Sequence, residues 1–220
     1  GLGSGGSFIA RELAKAGVGH FTLVDHDRLE VGNVCRHECG LEDLGRSKVY
    51  AMRDRLLGIN PSASIEALPA KVDGRSMDHV GKALAGADLL ICATDNRESR
   101  LLVNRMAVQQ EKTVIYGAVF RRAYGGQVLR VVPKLTPCYQ CFVNALPTAV
   151  EDQEISSPES AASIAYSDRP VPIEPGLSSD IVPIALHVVK MAILELLRGR
   201  ETTLSHLYED IVAPVHLWLN

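Results

Sequence analysis

Two landmarks decide the fold: Gly1-Leu2-Gly3-Ser4-Gly5-Gly6 at the start of the chain, and His20-Phe21-Thr22-Leu23-Val24-Asp25 a short distance on. Gly1, Gly3 and Gly6 satisfy G-x-G-x-x-G, and Asp25 lies 19 residues beyond Gly6. Between them Ser7 to Ala16 reads as a helix, with Phe8, Ile9, Leu13 and Ala16 apolar and Gly17 as its stop. A helix N-terminus offers an anion its free N–H groups and the positive end of its dipole. Glycine lets the backbone come close to that anion. An acid ending the next strand accepts a hydrogen bond from a ribose hydroxyl. The bland alternative is a tight strand–helix turn that binds nothing. The acid in register favours a nucleotide, without saying which.

The pattern continues outward from this unit. Ser47 is placed to cap a helix carrying Val49, Met52 and Leu56 on one stripe, ended by Gly58 and Asn60-Pro61. Ser64 to Leu68 is a strand. Ser76 opens a helix with Val80 and Leu84. Asp88 to Ala93 is a strand, Arg97 to Gln110 a helix and Thr113 to Gly117 a strand. Such alternation predicts a doubly wound, Rossmann-like α/β fold with a mostly parallel sheet. It is complete if a strand precedes Gly1. Gly126 to Val132 follows its predecessor too closely for a crossover helix, so antiparallel strands are added toward the C-terminus. Residues 147–176 are rich in Pro, Ser and acid and read as a long loop. Ser179 to Arg198 is a long helix with Leu186, Val189, Ile193 and Leu197 as core, and Pro214 to Asn220 a last strand carrying His216 and Trp218.

Composition bounds the function. The chain has 220 residues, 23 Lys plus Arg against 26 Asp plus Glu, and a formal charge of −3. That balance argues against nucleic-acid binding by bulk positive charge. At 46% apolar residues the chain is no disordered segment. The most apolar run, Ile181 to Leu197, is broken by Pro183, His187, Lys190 and Glu195, so no membrane span is expected. Five cysteines without a signal peptide suit a reducing cytoplasm better than a disulfide scaffold.

Further residues gather at the same edge. Asp25-His26-Asp27, Asn33, Arg36, Lys48 and Thr94-Asp95-Asn96 all follow strands whose C-terminal ends a doubly wound sheet brings together. Arg36 and Lys48 are suited to neutralise a polyphosphate, and Asp95 to hold Mg²⁺. Taken singly each cation is more simply a solvated charge. Together they are equipment for phosphoryl or nucleotidyl transfer.

These runs, in this order, resemble the ThiF/MoeB and ubiquitin-activating enzyme superfamily. They are Leu23-Val24-Asp25-His26-Asp27, Asn33-Val34-Cys35-Arg36, Gly45-Arg46-Ser47-Lys48 and Ala93-Thr94-Asp95-Asn96. Gly117-Ala118, Gly126-Gln127 and Pro137-Cys138-Tyr139-Gln140-Cys141 agree as well. The likeness covers residues 1 to 145 well and the late helix loosely. It implies ATP-dependent adenylation of the C-terminal glycine carboxylate of a ubiquitin-like or sulfur-carrier protein ending in Gly-Gly, with release of pyrophosphate. It implies Gly1, Gly3, Ser4 and Gly6 along the phosphates and Asp25, with Asp27, at the ribose end. Asn33, Arg36 and Lys48 would contact the phosphates, and Asp95, beside Asn96, would support Mg²⁺ and the reacting centre. Arg36, Lys48 and Asp95 are the catalytic candidates. A homodimer is implied too.

The likeness has departures. His37 stands where the family usually has Gln; a lone histidine is more often structural, and it receives no role. Ser4 replaces a common glycine. Cys138 and Cys141 form one C-x-x-C, half of a Cys₄ zinc site in many relatives, and zinc needs four ligands. Residues 142 to 220 contain no cysteine for a thioester. Cys92 reads as core, and Cys39 is a remote candidate nucleophile. Arg121 is placed to reach a carrier's tail. The chain is expected to be one adenylation domain over residues 1–220, cut at both ends from a longer enzyme. Other readings stay open: adenylation of a small-molecule, peptide or tRNA carboxylate, an NAD-dependent oxidoreductase, and a non-catalytic partner subunit.

Overall fold

The computed structural model describes residues 1–120, 123, 125–145, 176–210 and 213–219. Helices and strands alternate through its first half. Helix α1 (Ser4–Lys15) is followed by β1 (His20–Val24), the one-turn α2 (Val31–Val34), α3 (Lys48–Ile59) and β2 (Ser64–Leu68). Then come α4 (Met77–Leu84), β3 (Leu90–Cys92), α5 (Arg97–Gln109), β4 (Val114–Val119) and β5 (Gly125–Val131). The remaining elements are α6 (Tyr139–Ala145), α7 (Ser178–Leu196), the short α8 (Leu207–Asp210) and β6 (Val215–Leu219). The expected long loop falls, over residues 147–175, outside the described residues, and so does Arg121.

The described strands form two hydrogen-bonded ladders. β1 pairs in parallel with β2, from His20 opposite Ser64 to Val24 opposite Leu68. β3 pairs in parallel with β4, and β5 and β6 add in antiparallel order. Parallel and added antiparallel strands thus agree with the predicted architecture. The C-terminal ends of β1 and β3 flank Gly1, where the two ladders meet the start of α1.

Three apolar clusters hold the layers. Val49, Met52 and Leu56 of α3 are fully buried beside Leu23 and Ala14, as their spacing predicts. Val103, Met106 and Ala107 of α5 pack with Val114 and Tyr116 of β4 and Val131 of β5. Ile184, Val188 and Ala192 of α7 pack on Ile115 and Val128, with Ile9 and Leu13 of α1. Helix α7 lies so close to the sheet that a Cβ on Gly117 would come within 2.9 Å of Val188, and one on Gly126 within 2.6 Å of Ile184. The buried stripe of α7 is therefore Ile181, Ile184, Ala185, Val188 and Val189, whereas Leu186, expected in the core, is exposed. The helix is apolar nearly all round, so periodicity selects no face. Glu195 near its end accepts from Arg130 of β5 at 2.7 Å, and Arg198 joins the same carboxylate. None of the described helices is long and apolar enough to cross a membrane.

Candidate functional site

The three motif glycines do different work. A Cβ on Gly1 would stand 2.8 Å from the Ala93 carbonyl, and one on Gly6 only 2.0 Å from the Gly1 carbonyl. Both positions are closed by backbone. A Cβ on Gly3 would meet nothing within 4 Å. Gly3 also precedes α1, whose first turn carries no acid and whose cap makes no side-chain hydrogen bond. The first N–H groups of a helix have no partner within it, and those of Ser4 and Gly5 follow directly on the open position at Gly3. The helix starts at Ser4, three residues earlier than the periodicity of its apolar face suggests.

Asp25 anchors this loop. Its Oδ2 accepts the Leu2 N–H at 2.6 Å and its Oδ1 the Asp27 N–H at 2.9 Å. Burial alone would raise its pKa. The Asp27 and Leu2 N–H donors and Lys48 act against burial and favour the carboxylate. Each oxygen keeps a second lone pair for a further donor.

Lys48 is buried at the first position of α3. Its backbone N–H donates to the Asp27 carbonyl at 2.9 Å, and its ammonium to Asp27 Oδ2 at 2.8 Å. The Ser47 hydroxyl caps nothing, contrary to the expected role, and is buried without a hydrogen-bond partner. Asn33 closes α2, its Oδ1 accepting the Glu30 N–H at 3.1 Å. Arg36, on the turn after α2, donates to the Gly32 carbonyl at 3.1 Å, and no carboxylate among the described residues pairs with it. His37 reaches the glycine loop, its Nε2 lying 2.8 Å from the Leu2 carbonyl.

The turn after β3 is held from behind. Asn96 caps α5 by accepting the Ser99 N–H at 2.8 Å. Ser99 Oγ donates to Thr94 Oγ1 at 2.7 Å, and Arg100 donates twice to the Thr94 carbonyl, at 3.0 and 2.8 Å. Asp95 is left exposed, with no cation paired to it among the described residues. Ser99 and Arg100 escaped the sequence reading, although a serine three residues after a capping asparagine is a readable signal.

The structure thus brings Gly1, Gly3, Gly6, Asp25 and the Thr94-Asp95 turn to one edge. Lys48 joins through Asp27, and the Arg36 segment through His37. It does not gather the cysteines there. Cys39 is buried against Met52, and its thiol is pushed up to about 12 chiefly by burial, which disfavours the thiolate that a nucleophile needs. Cys92 is core. Cys138 and Cys141 lie 3.6 Å apart at the start of α6, on the far side of α5. No third described Cys, His, Asp or Glu joins them, so they offer two of the four ligands that tetrahedral zinc requires.

An α/β unit with parallel strands and a glycine loop at a helix N-terminus is the class that this geometry defines. A model of the ThiF family matches residues 1–203, and the chain belongs to that family. It is 33% identical over 148 residues to a sulfur carrier protein adenylyltransferase of Thermus thermophilus, a match covering 64% of this chain and 53% of the relative. It is 30% identical over 151 residues to ubiquitin-like modifier-activating enzyme 5 of Caenorhabditis briggsae, covering 64% of this chain and 34% of that one. The chain therefore spans about a third to a half of the length of these relatives. A crystal structure of E. coli MccB with ATP superimposes with a TM-score of 0.68, covering 89% of this chain and 54% of that one, at 19% identity. At that identity the likeness is one of fold.

Proposed function

We propose that the chain carries the adenylation centre of an activating enzyme for a ubiquitin-like or sulfur-carrier protein. In this reading the C-terminal glycine carboxylate of the carrier attacks the α-phosphate of ATP. An acyl–phosphate bond forms, the bond to the β-phosphate oxygen breaks, and pyrophosphate leaves. The observation that carries the reading is the glycine loop: Gly1 and Gly6 are closed by backbone, while Gly3 faces open space at an acid-free helix start. The choice of a carrier protein rests on the names of the sequence relatives, a sulfur carrier protein adenylyltransferase and a ubiquitin-like modifier-activating enzyme.

The chemistry sets two anions against each other, so the site must supply positive charge. Arg36 and Lys48 do so in this reading, with Asn33 as a further donor, and Asp25 accepts from the ribose. Asp95 would hold Mg²⁺, which suits an exposed carboxylate without a cation partner; when bound, the ion neutralises phosphate charge. No step is assigned to the Cys138–Cys141 pair. The thiol or amine step that consumes the adenylate falls to groups outside the described site. All five cysteines are free thiols, which fits a reducing compartment such as the cytoplasm. The reading includes a homodimer.

ATP–pyrophosphate exchange by the complete protein, with carriers ending in Gly-Gly, tests the proposal. Asp95→Ala is expected to lower exchange at least about a hundredfold with the far-ultraviolet circular dichroism unchanged. Exchange near the wild-type rate would remove Asp95 from the centre. Tight NAD binding without ATP binding would replace adenylation by a redox reading.

A further inference from the structure

Beside the Arg11–Glu38 ion pair, one imidazole joins the Arg36 turn to the glycine loop itself. Cys39 donates its backbone N–H to His37 Nδ1 at 3.0 Å. Nδ1 is therefore the unprotonated nitrogen, the ring is the Nε2–H tautomer, and Nε2 donates to the Leu2 carbonyl at 2.8 Å. Leu2 lies between Gly1 and Gly3, and its own N–H is held by Asp25. On the other side, the residue before His37 is Arg36.

We propose that His37 is a positioning residue: as a neutral Nε2–H ring it ties the Arg36 turn to the glycine loop, and its protonation loosens that tie. The proposal rests on the adenylation reading, because it places Arg36 against the phosphates. An imidazolium carries N–H groups at both nitrogens, so protonated Nδ1 would face the Cys39 N–H donor to donor. The bond to Leu2 would survive and the bond to Cys39 would not. The ring would stay on the loop but lose the bond that fixes its angle to its own segment, and the turn bearing Arg36 would no longer be held in one orientation to the phosphate cradle.

The surroundings favour the neutral ring. Burial is the largest influence and disfavours the charged form. The Leu2 carbonyl, Asp25 at the end of β1 and Glu38 favour it, and Lys48 of α3 opposes it. Glu38 is itself paired with Arg11 of α1 at 2.5 Å, and Lys48 with Asp27. The balance holds His37 below the ordinary imidazole range. Both bonds are therefore present at neutral pH, and the Cys39 bond is lost as the pH falls through that lowered value.

Two substitutions separate the bonds from the packing. A glutamine amide has both a donor and an acceptor and does not titrate, so His37→Gln can keep both bonds at every pH. His37→Leu keeps bulk and loses both. Carrier-dependent ATP–pyrophosphate exchange is measured from acid to alkaline pH, beside ¹⁵N NMR of the His37 ring and hydrogen exchange of the Cys39 amide. Wild type is expected to lose exchange on the acid side together with Cys39 protection. His37→Gln is expected to remain within about threefold of wild type at pH 8 and to lack that acid limb. His37→Leu is expected to be roughly tenfold slower at pH 8, the worth of a lost hydrogen bond. Wild-type rates and acid limb in His37→Leu, or an unchanged acid limb in His37→Gln, would overturn the inference and leave adenylation standing. A ring protonated or Nδ1–H at pH 8 would overturn the tie whatever the reaction. No exchange by wild type with any carrier would sink the adenylation reading itself, and the role of the ring with it.

Discussion

Two sets of glycines, one at each end of the family signature, do opposite things. At Gly3 the missing side chain leaves space open beside the start of α1. At Gly117 and Gly126 it admits another element, with Val188 and Ile184 of α7 standing where a methyl would be. Gly3 leaves a volume empty, whereas Gly117 and Gly126 let one be filled. A motif read along the chain mixes the two, because both are written with the same residue. What separates them is what occupies the space: solvent in one case and an apolar helix in the other. Mutation at Gly3 should act on ligand binding, and mutation around α7 on stability.

The sharpest test lies at the α7 end. Glu195 and Arg130 are a largely buried pair, and removing one partner of such a pair costs about 3–5 kcal/mol. Glu195→Ala is expected to lower urea-unfolding stability by that order, with no effect on ATP binding beyond that loss. The same pair gives a pH dependence. Burial would raise the Glu195 pKa, but bonds from Arg198 and Arg130 outweigh it and hold it below the usual range. The folded state therefore binds its proton later than the unfolded state as pH falls. This stabilisation is complete above the ordinary carboxylate range and drains away as pH falls through the lowered value. Glu195→Gln should lack that portion of the acid dependence, which a comparison of unfolding curves between neutral and acid pH would detect.

Next in size is Gly126→Ala. Its methyl would lie 2.5 Å from the Ala118 carbonyl as well as against Ile184. Overpacking of this kind costs about 1–3 kcal/mol, and each kcal/mol lowers Tm by roughly 2–4 °C in a chain of this size. A melting curve identical to wild type would break the distinction from the packing side. The smallest effect belongs to Gly3→Ala. Its φ of −69° suits alanine and the space is empty, so stability should hold or rise by up to about 1 kcal/mol. ATP binding should nevertheless weaken about tenfold, or about 1.4 kcal/mol. Unchanged ATP affinity would show that Gly3 lines no phosphate path.

Much of this was legible because the signals are local. Strand β2 has the bounds its alternation gives, and Val49, Met52 and Leu56 are buried as a helical stripe should be. The loop-to-acid spacing brought Gly1 and Asp25 together correctly, since one strand and one helix fix that distance. The one-turn helix Val31–Val34 has no period to detect. His37 offered nothing to a sequence reading: its two bonds run to backbone groups, Leu2 and Cys39, and backbone partners leave no mark in residue identity. Leu186 was misplaced because α7 presents apolar groups on every side.

The ion pair between Lys48 and Asp27 bears on the resting site. The lysine ammonium is already stripped of water and already has an anion. A phosphate that displaces Asp27 therefore performs counterion exchange rather than fresh dehydration of a cation. The aspartate, half exposed in its pair, returns to solvent at small cost. Weak anions that cannot outcompete a carboxylate at 2.8 Å gain nothing from this lysine. Under the adenylation reading the pair would act as a threshold on entry, with the positive charge available to a polyphosphate that has several contacts to offer and withheld from a small ion passing through.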